Sequence, residues 1–269
     1  VIRKLKQPVL GICLGLQLLY SGSDEDDAEC LGIIPGQAYR FPQSAELPVP
    51  QMGWNALKRV ANSPLIAVLD YQAGNLRSVQ KALEICGATA IISADPSVIA
   101  QSDAVVFPGQ GACDSSMRNL RTTGLDKVIV SIIRKGTPFL GVCLGLQLLL
   151  EESDEGNEPG LGIIKGKVER LSGGLKVPHM GWNKVNLRPG HPIFDGIEQD
   201  SHFYFVHSYV AVPRDEEVVA GTTWYGREFC SAVAFENITA VQFHPEKSGD
   251  IGLKIYSNFV RYVGLTDSK

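Results

Sequence analysis

From residue 66 onward, short apolar runs alternate with amphipathic stretches. "IAVLDY" at 66–71 has strand length, "NLRSVQKALEICG" at 75–87 carries apolar residues at helical spacing and ends on glycine, and "TAIIS" at 89–93 reads as strand again. "DAVVFPG" at 103–109 is the next strand, followed by a polar loop and then by "LDKVIVSIIRKG" at 125–136, whose apolar residues share one helical face. "PFLGVC" at 138–143 is a further strand that runs into a turn and a helical stretch, "LGLQLLLEE" at 144–152. Apolar strands separated by amphipathic helices predict right-handed crossovers and an α/β fold, a mostly parallel open sheet with helices on both faces. Beyond residue 160 the rhythm changes: "KVERL", "HFYFVHSYV", "EVVAGTTWYG", "CSAVAFE" and "ITAVQFHPE" are closely spaced strand candidates, expected as antiparallel additions to the same sheet. "IGLKIYSNFVRYV" at 251–263 is a closing amphipathic helix.

Residues 1–64 repeat part of this pattern. "GICLGLQLL" at 11–19 matches "GVCLGLQLL" at 141–149, with Pro8 on Pro138, Cys13 on Cys143, Gln17 on Gln147 and "LGII" at 31–34 on "LGII" at 161–164. After a two-residue shortening, "VPQMGWN" at 49–55 falls on "VPHMGWN" at 177–183, with Gln51 in place of His179, and the match ends at Ser63-Pro64 against His191-Pro192. A single partial copy does not make a solenoid. Residues 1–64 are therefore read as a partial duplicate of 131–192, not an independent domain, and 65–269 as the complete domain. The partial copy holds about two strands, one helix and a hairpin, too little to bury an independent core, given that about 40 residues is already the lower limit without staples. The two copies could compete for one place in the sheet, since loop-closure cost grows only logarithmically with length. The contiguous second copy is favoured because it keeps short connections.

Composition narrows the class. With 269 residues, a net charge of -4 and 44% hydrophobic residues, the chain has the balance of a soluble globular protein. It has no Lys/Arg block to expect nucleic acid as a partner, no run of about 18 apolar residues to span a membrane, and no signal-peptide pattern, so a cytoplasmic protein is expected. Six cysteines without a regular framework read as reduced thiols. Cys30, Cys86, Cys113 and Cys230 are expected to be packing residues, and "DEDD" at 24–27 a solvated loop.

The chemistry concentrates on Cys143. Glycines two residues to either side, between a strand and a helical stretch, form the nucleophile-elbow pattern with Cys in place of Ser. Placement at a helix N-terminus favours thiolate. The alternative is a small core cysteine beside glycine. A thiolate needs a base, and "QFHPE" offers His244, with Glu246 two residues along an extended segment and so on the same face. An exposed His-Pro-Glu loop is the other reading, Pro245 suiting a strand end. "PGQGA" at 108–112 closes a parallel strand where backbone N–H groups approach a ligand, an oxyanion-hole candidate or an ordinary glycine turn. No phosphate-loop lysine follows it, and His179, His191, His202 and His207 show no metal-ligand spacing, so no metal is expected.

These motifs, with "HSYV" at 207–210 and "FHPEKSG" at 243–249, resemble the triad glutamine amidotransferases. "DYQAGNLRSV" at 70–79 and "VPHMGWN" are similar to the glutaminase subunit of imidazole glycerol phosphate synthase, the resemblance covering 66–269. It implies glutamine hydrolysis without a cofactor: Cys143 attacks the side-chain amide, His244 shuttles the proton and Glu246 orients His244. Gly109, Gln110 and Gly111 would supply the oxyanion hole, and Gln147, His207, Ser208 and Tyr209 would hold glutamine. It also implies a (β/α)8 cyclase partner that receives the ammonia, with Asn75, Trp182 and Lys247 toward it; a core aromatic is the alternative for Trp182. The family usually has Val where this chain has Gln110. Two further readings stay open: a glutaminase of another synthase, and a catalytically silent binding subunit.

Overall fold

The computed structural model describes residues 2–4, 9–25, 27–40, 63–72, 74–188 and 190–266. The chain divides into two units, Val1–Val60 and Ala61–Lys269. In the larger unit the chain alternates as the apolar runs predict: β4 (Leu65–Leu69), α2 (Leu76–Ile85), β5 (Thr89–Ser93), α3 (Pro96–Ala100), β6 (Ala104–Gly109), α4 (Cys113–Thr123), α5 (Leu125–Arg134), β7 (Phe139–Cys143) and α6 (Leu144–Gln147). Then come β8 (Leu150–Ser153), β9 (Ile164–Arg170), β10 (His179–Leu187), β11 (Ser201–His207), β12 (Tyr209–Pro213), β13 (Val219–Trp224), β14 (Glu228–Phe235), β15 (Ile238–Val241) and α7 (Gly249–Thr266).

One sheet gathers these strands in the order β11-β10-β13-β14-β15-β7-β6-β4-β5, with β12, β9 and β8 branching from β14. The segment β15-β7-β6-β4-β5 is parallel and the strands from β14 to β11 are antiparallel, as the change of rhythm after residue 160 predicts. Alternate strand residues feed opposite faces. Ile66, Val68, Val106 and Leu140 pack with Val79, Leu83, Tyr256 and Phe259 from α2 and α7, while Ala67, Leu69, Val105 and Phe139 pack with Met117, Leu120, Ile129 and Ile133 from α4 and α5. A sheet covered on both faces needs continuous apolar strands, which is why its runs show no polar alternation. No helix among the described residues is long and apolar enough to cross a membrane.

Two stretches depart from the sequence reading. The expected polar loop after β6 is helix α4, which buries Cys113, Ser116, Met117 and Leu120 at helical spacing. Cys and Ser are weak apolar markers, so the buried face is hidden among Asp114, Arg118, Asn119 and Arg121. The expected long helix after Cys143 is a single turn, α6, and the chain then re-enters the sheet as β8, pairing Leu150 with Ile164. Leu148, Leu149 and Leu150 are all buried, so a uniformly apolar run carried no period to read.

The smaller unit contains α1 (Leu14–Gln17) and a three-stranded sheet of β1 (Gly22–Ser23), β2 (Ala28–Glu29) and β3 (Gln37–Ala38), ordered β2-β1-β3. Residues 9–12, the counterpart of the interior of β7, form no strand. Leu10 and Ile12 are 84% and 72% exposed, whereas their counterparts Leu140 and Val142, clasped between β6 and β15, are 0% and 1% exposed. The second copy thus occupies the sheet. The repeated "VPQMGWN" at 49–55, with Gln51, lies outside the described residues.

Candidate active site

β7 ends on Cys143 with φ 55° and ψ −107°, a conformation that costs a residue with a side chain on the order of 1–3 kcal/mol. The turn is tight because Gly145 lies against β6: a Cβ there would sit 1.9 Å from the Phe107 carbonyl oxygen. Cys13 adopts nearly the same angles, φ 53° and ψ −121°. The elbow is therefore a property of the local sequence. The expected macrodipole support is small, because a four-residue helix aligns few peptide dipoles.

The sheet brings the other parts to this turn. β6 pairs with β7 through Gly109↔Cys143, which sets the "PGQGA" turn beside the sulfur. At Gly109 a Cβ would meet Tyr71 Oη at 2.5 Å and Leu144 Cβ at 2.7 Å, and Gly111 has φ 113°, so both positions require glycine. Gln110 is exposed, and its Oε1 lies against Gly74, 2.8 Å from where a Cβ would stand.

His244 follows β15, and Glu246 lies in a 3-10 turn over Pro245–Lys247. The expected strand alternation does not hold there, because Pro245 starts that turn, a position its fixed φ suits. The turn still brings the pair together: His244 Nδ1 is 2.8 Å from Glu246 Oε1, with the side chains 2% and 1% exposed. Asn75 Nδ2 also donates to that Oε1, and Tyr256 Oη donates to Glu246 Oε2 at 3.4 Å. His244 Nε2 is buried without a hydrogen-bond partner. Burial would lower the pKa of this ring, but Cys143 and Glu246 outweigh it and raise it to about 10. The imidazole is then cationic at neutral pH beside the cysteine.

A cleft of about 420 Å³ opens here, lined by Gln110, Gly111, Cys143, Gln147, His207, Ser208, Tyr209, His244 and Lys247. A sequence model of the family described as Glutamine amidotransferase class-I matches residues 67–262. The chain belongs to the class-I glutamine amidotransferases.

Within this family, the chain is 49% identical over 202 residues to the imidazole glycerol phosphate synthase subunit HisH of Synechococcus sp., covering 74% of this chain and 94% of that protein. It is 50% identical over 206 residues to HisH of Thermosynechococcus vestitus (75% and 99% covered) and 48% identical over 204 residues to HisH 1 of Methanococcus maripaludis (74% and 100%). A solved glutamine amidotransferase matches with TM-score 0.60 at 23% identity, covering 74% and 98% of the chains. PurLQS from Thermotoga maritima matches with TM-score 0.60 at 19% identity, covering 74% and 99%. These structural matches carry the fold alone.

This glutamine amidotransferase gathers nearly every residue singled out from its sequence at one cleft. Trp182 stands apart, 56% exposed on β10 with its ring edge-on to Tyr204. Asn75, read as partner-facing, directs its amide to Glu246, and Lys247 is exposed at the cleft. Sequence reasoning missed Glu155, Pro178 and Val206 in the lining. Glu155 accepts the Cys113 N–H at 2.8 Å and so anchors the start of α4 behind the glycine turn. It comes from the loop after β8, and nothing in the residue pattern joins that loop to 113.

Two buried histidines pair at the cleft, whose lining includes His207. His179 Nδ1 is 3.0 Å from His207 Nε2, and His179 stacks on Tyr225 with ring centroids 4.0 Å apart. Burial lowers His179 to about 4; burial, together with the charges of His179 and His244, lowers His207 to about 3, against the Tyr209 carbonyl. Both rings are neutral when folded, while the unfolded chain binds their protons near pH 6.5. Their contribution is therefore complete above about pH 6.5 and lost as pH falls toward 4 and 3, each ring by up to about 1.4 kcal/mol per pH unit. The urea midpoint is expected to drop between pH 7 and 4.5, and to drop less in His179→Gln; equal slopes in both proteins would contradict this.

Proposed function

We propose that this amidotransferase hydrolyses glutamine through Cys143, His244 and Glu246 and passes the ammonia to a (β/α)8 cyclase partner. The observation that carries the reading is the buried His244–Glu246 pair beside a strained, cleft-facing Cys143. The Cys143 thiolate attacks Cδ of the glutamine side chain, and the electron pair of the carbonyl moves to oxygen, facing the backbone of Gly109, Gln110 and Gly111. His244 gives its Nε2 proton to the leaving ammonia as the C–N bond breaks, leaving a γ-glutamyl thioester. Water then attacks that thioester, giving its proton to His244, and the C–S bond breaks to release glutamate and restore Cys143. Glu246 keeps His244 Nδ1 protonated throughout.

Gln147 with the segment His207, Ser208 and Tyr209 holds the glutamine. Both N–H groups of Gln147 face protein acceptors, the Tyr209 carbonyl and Gln242 Oε1, which leaves its Oε1 for a donor on the ligand such as the α-ammonium. The partner reading rests on relatives named as subunits of imidazole glycerol phosphate synthase. In that assembly the ammonia reacts with a phosphoribulosyl aminoimidazole carboxamide nucleotide to give imidazole glycerol phosphate and an aminoimidazole carboxamide ribotide, a cytoplasmic step of histidine biosynthesis. Trp182 and Lys247 lie toward this partner, Asn75 links the same side to Glu246, and residues 1–64 are an appended partial copy.

The test is glutamate release from glutamine by the full chain, with purified cyclase subunit and its nucleotide. Stoichiometric glutamate and imidazole glycerol phosphate are expected. A folded chain that binds the cyclase without turnover would support a silent binding subunit.

A further inference from the structure

We propose that Gln242 is a further catalytic residue, its side-chain amide donating a hydrogen bond to the Cys143 sulfur. The proposal rests on the triad reading above. β15 pairs with β7 through Val241↔Val142, so the next residue, Gln242, emerges beside Cys143. Gln242 is fully buried, and its Nε2 lies 3.6 Å from Cys143 Sγ, within the range of a hydrogen bond to sulfur.

The two ends of an amide side chain have nearly the same shape, so only its partners decide which end faces the sulfur. Here the partners decide it from a group that cannot donate. The Tyr209 carbonyl accepts from Gln147 Nε2 at 2.9 Å, which fixes the Gln147 amide. The same Nε2 lies 3.0 Å from Gln242 Oε1, so Gln242 turns its oxygen to Gln147 and its NH2 to Cys143. A flipped Gln242 would set donor against donor at Gln147 and an oxygen against the thiolate, both in a buried setting where unmatched polar groups are costly.

The other side of the Tyr209 carbonyl agrees. It accepts from His207 Nδ1 at 2.9 Å, so His207 Nε2 accepts from His179 Nδ1 at 3.0 Å. His179 Nε2 in turn accepts from Asn183 Nδ2 at 3.2 Å. One donor-to-acceptor assignment satisfies the whole array from Asn183 on β10 to the sulfur.

A donor at the sulfur stabilises the negative charge it carries as it attacks and holds Sγ in place, where one-turn α6 supplies little. The partial copy ends before any counterpart of Gln242, so Cys13 has no such residue in its repeat.

Gln242→Met removes the donor at similar volume, and Gln242→Glu puts an oxygen in place of the NH2. The readouts are the pH–rate profile of iodoacetamide alkylation at Cys143, in which the thiolate displaces iodide, and kcat and KM for glutamine with the cyclase present. Mass spectrometry separates the Cys143 peptide from the Cys13 peptide, which carries Ile12 where the other has Val142. The alkylation profile is expected to move to higher pH, further in Gln242→Glu, and kcat to fall about ten- to a hundredfold with KM little changed. Parental profiles and kcat in folded variants would overturn the proposal.

In the unaltered chain, the Gln242 side-chain amide proton resonance is expected to move when Cys143 is alkylated, and a static resonance would also overturn it. Cys143→Ala that retains turnover would sink the triad reading and this one together. A silent Cys143→Ala beside parental Gln242 variants would sink this one alone.

Discussion

Cys143→Ala is expected to abolish glutamate release, a loss on the order of a million-fold in kcat, while Cys13→Ala leaves the parental rate. The two cysteines share a sequence phrase and a backbone conformation, with φ 55° and 53°. They do not share surroundings. All five histidines of the chain lie beyond residue 178, so the partial copy brings no base of its own. Cys143 is 7% exposed at a cleft with His244, and the side chains of the His244–Glu246 pair are excluded from water, where a hydrogen-bonded ion pair is strong. Steady-state glutamate release with the cyclase present measures both variants. A loss in Cys13→Ala alone would mean that the first copy has displaced the second.

The second large effect concerns the same pair of copies in stability. Gly145→Ala is expected to destabilise the fold by about 3 kcal/mol or more, since overpacking against backbone has no side chain to yield. The added Cβ would stand 1.9 Å from the Phe107 carbonyl oxygen and 3.1 Å from its carbon, so β6 or the elbow must move. Phe107 is two residues before Gly109, and a displaced β6 also misplaces the glycine turn, so kcat falls as well. Gly15→Ala, the counterpart, meets nothing within 4 Å. Its cost is expected to stay within about 0.5 kcal/mol, helped by the better helix propensity of Ala. Urea denaturation followed by circular dichroism separates the two, and indistinguishable midpoints would refute the close packing of α6 on β6.

Much of the parallel sheet was legible because a strand buried on both faces must be apolar throughout, as in "DAVVFPG" and "PFLGVC". Helix α4 was not, because its buried face uses Cys113 and Ser116, residues whose polarity does not announce burial. The short α6 followed by β8 was not, because consecutive leucines fit either period. At the site, Cys143, His244 and Glu246 were legible as types in a pattern, although the geometry joining the last two is a 3-10 turn and not a strand. Gln242 had a signal in the sequence: it stands two residues before His244 in the same "QFHPE" run, at the spacing that puts strand residues on one face.

The sequence by itself determined the elbow, since the repeated cysteine phrase takes almost the same φ and ψ in two unlike surroundings. Flanking glycines and local sterics act over a few residues and need no distant partner. Only the tertiary structure decided which cysteine is buried, which meets a histidine and which way the Gln242 amide turns. Those outcomes depend on β6, β7 and β15 lying side by side, with β12 joined to them through β14, and long-range pairing that no local pattern encodes brings these residues together.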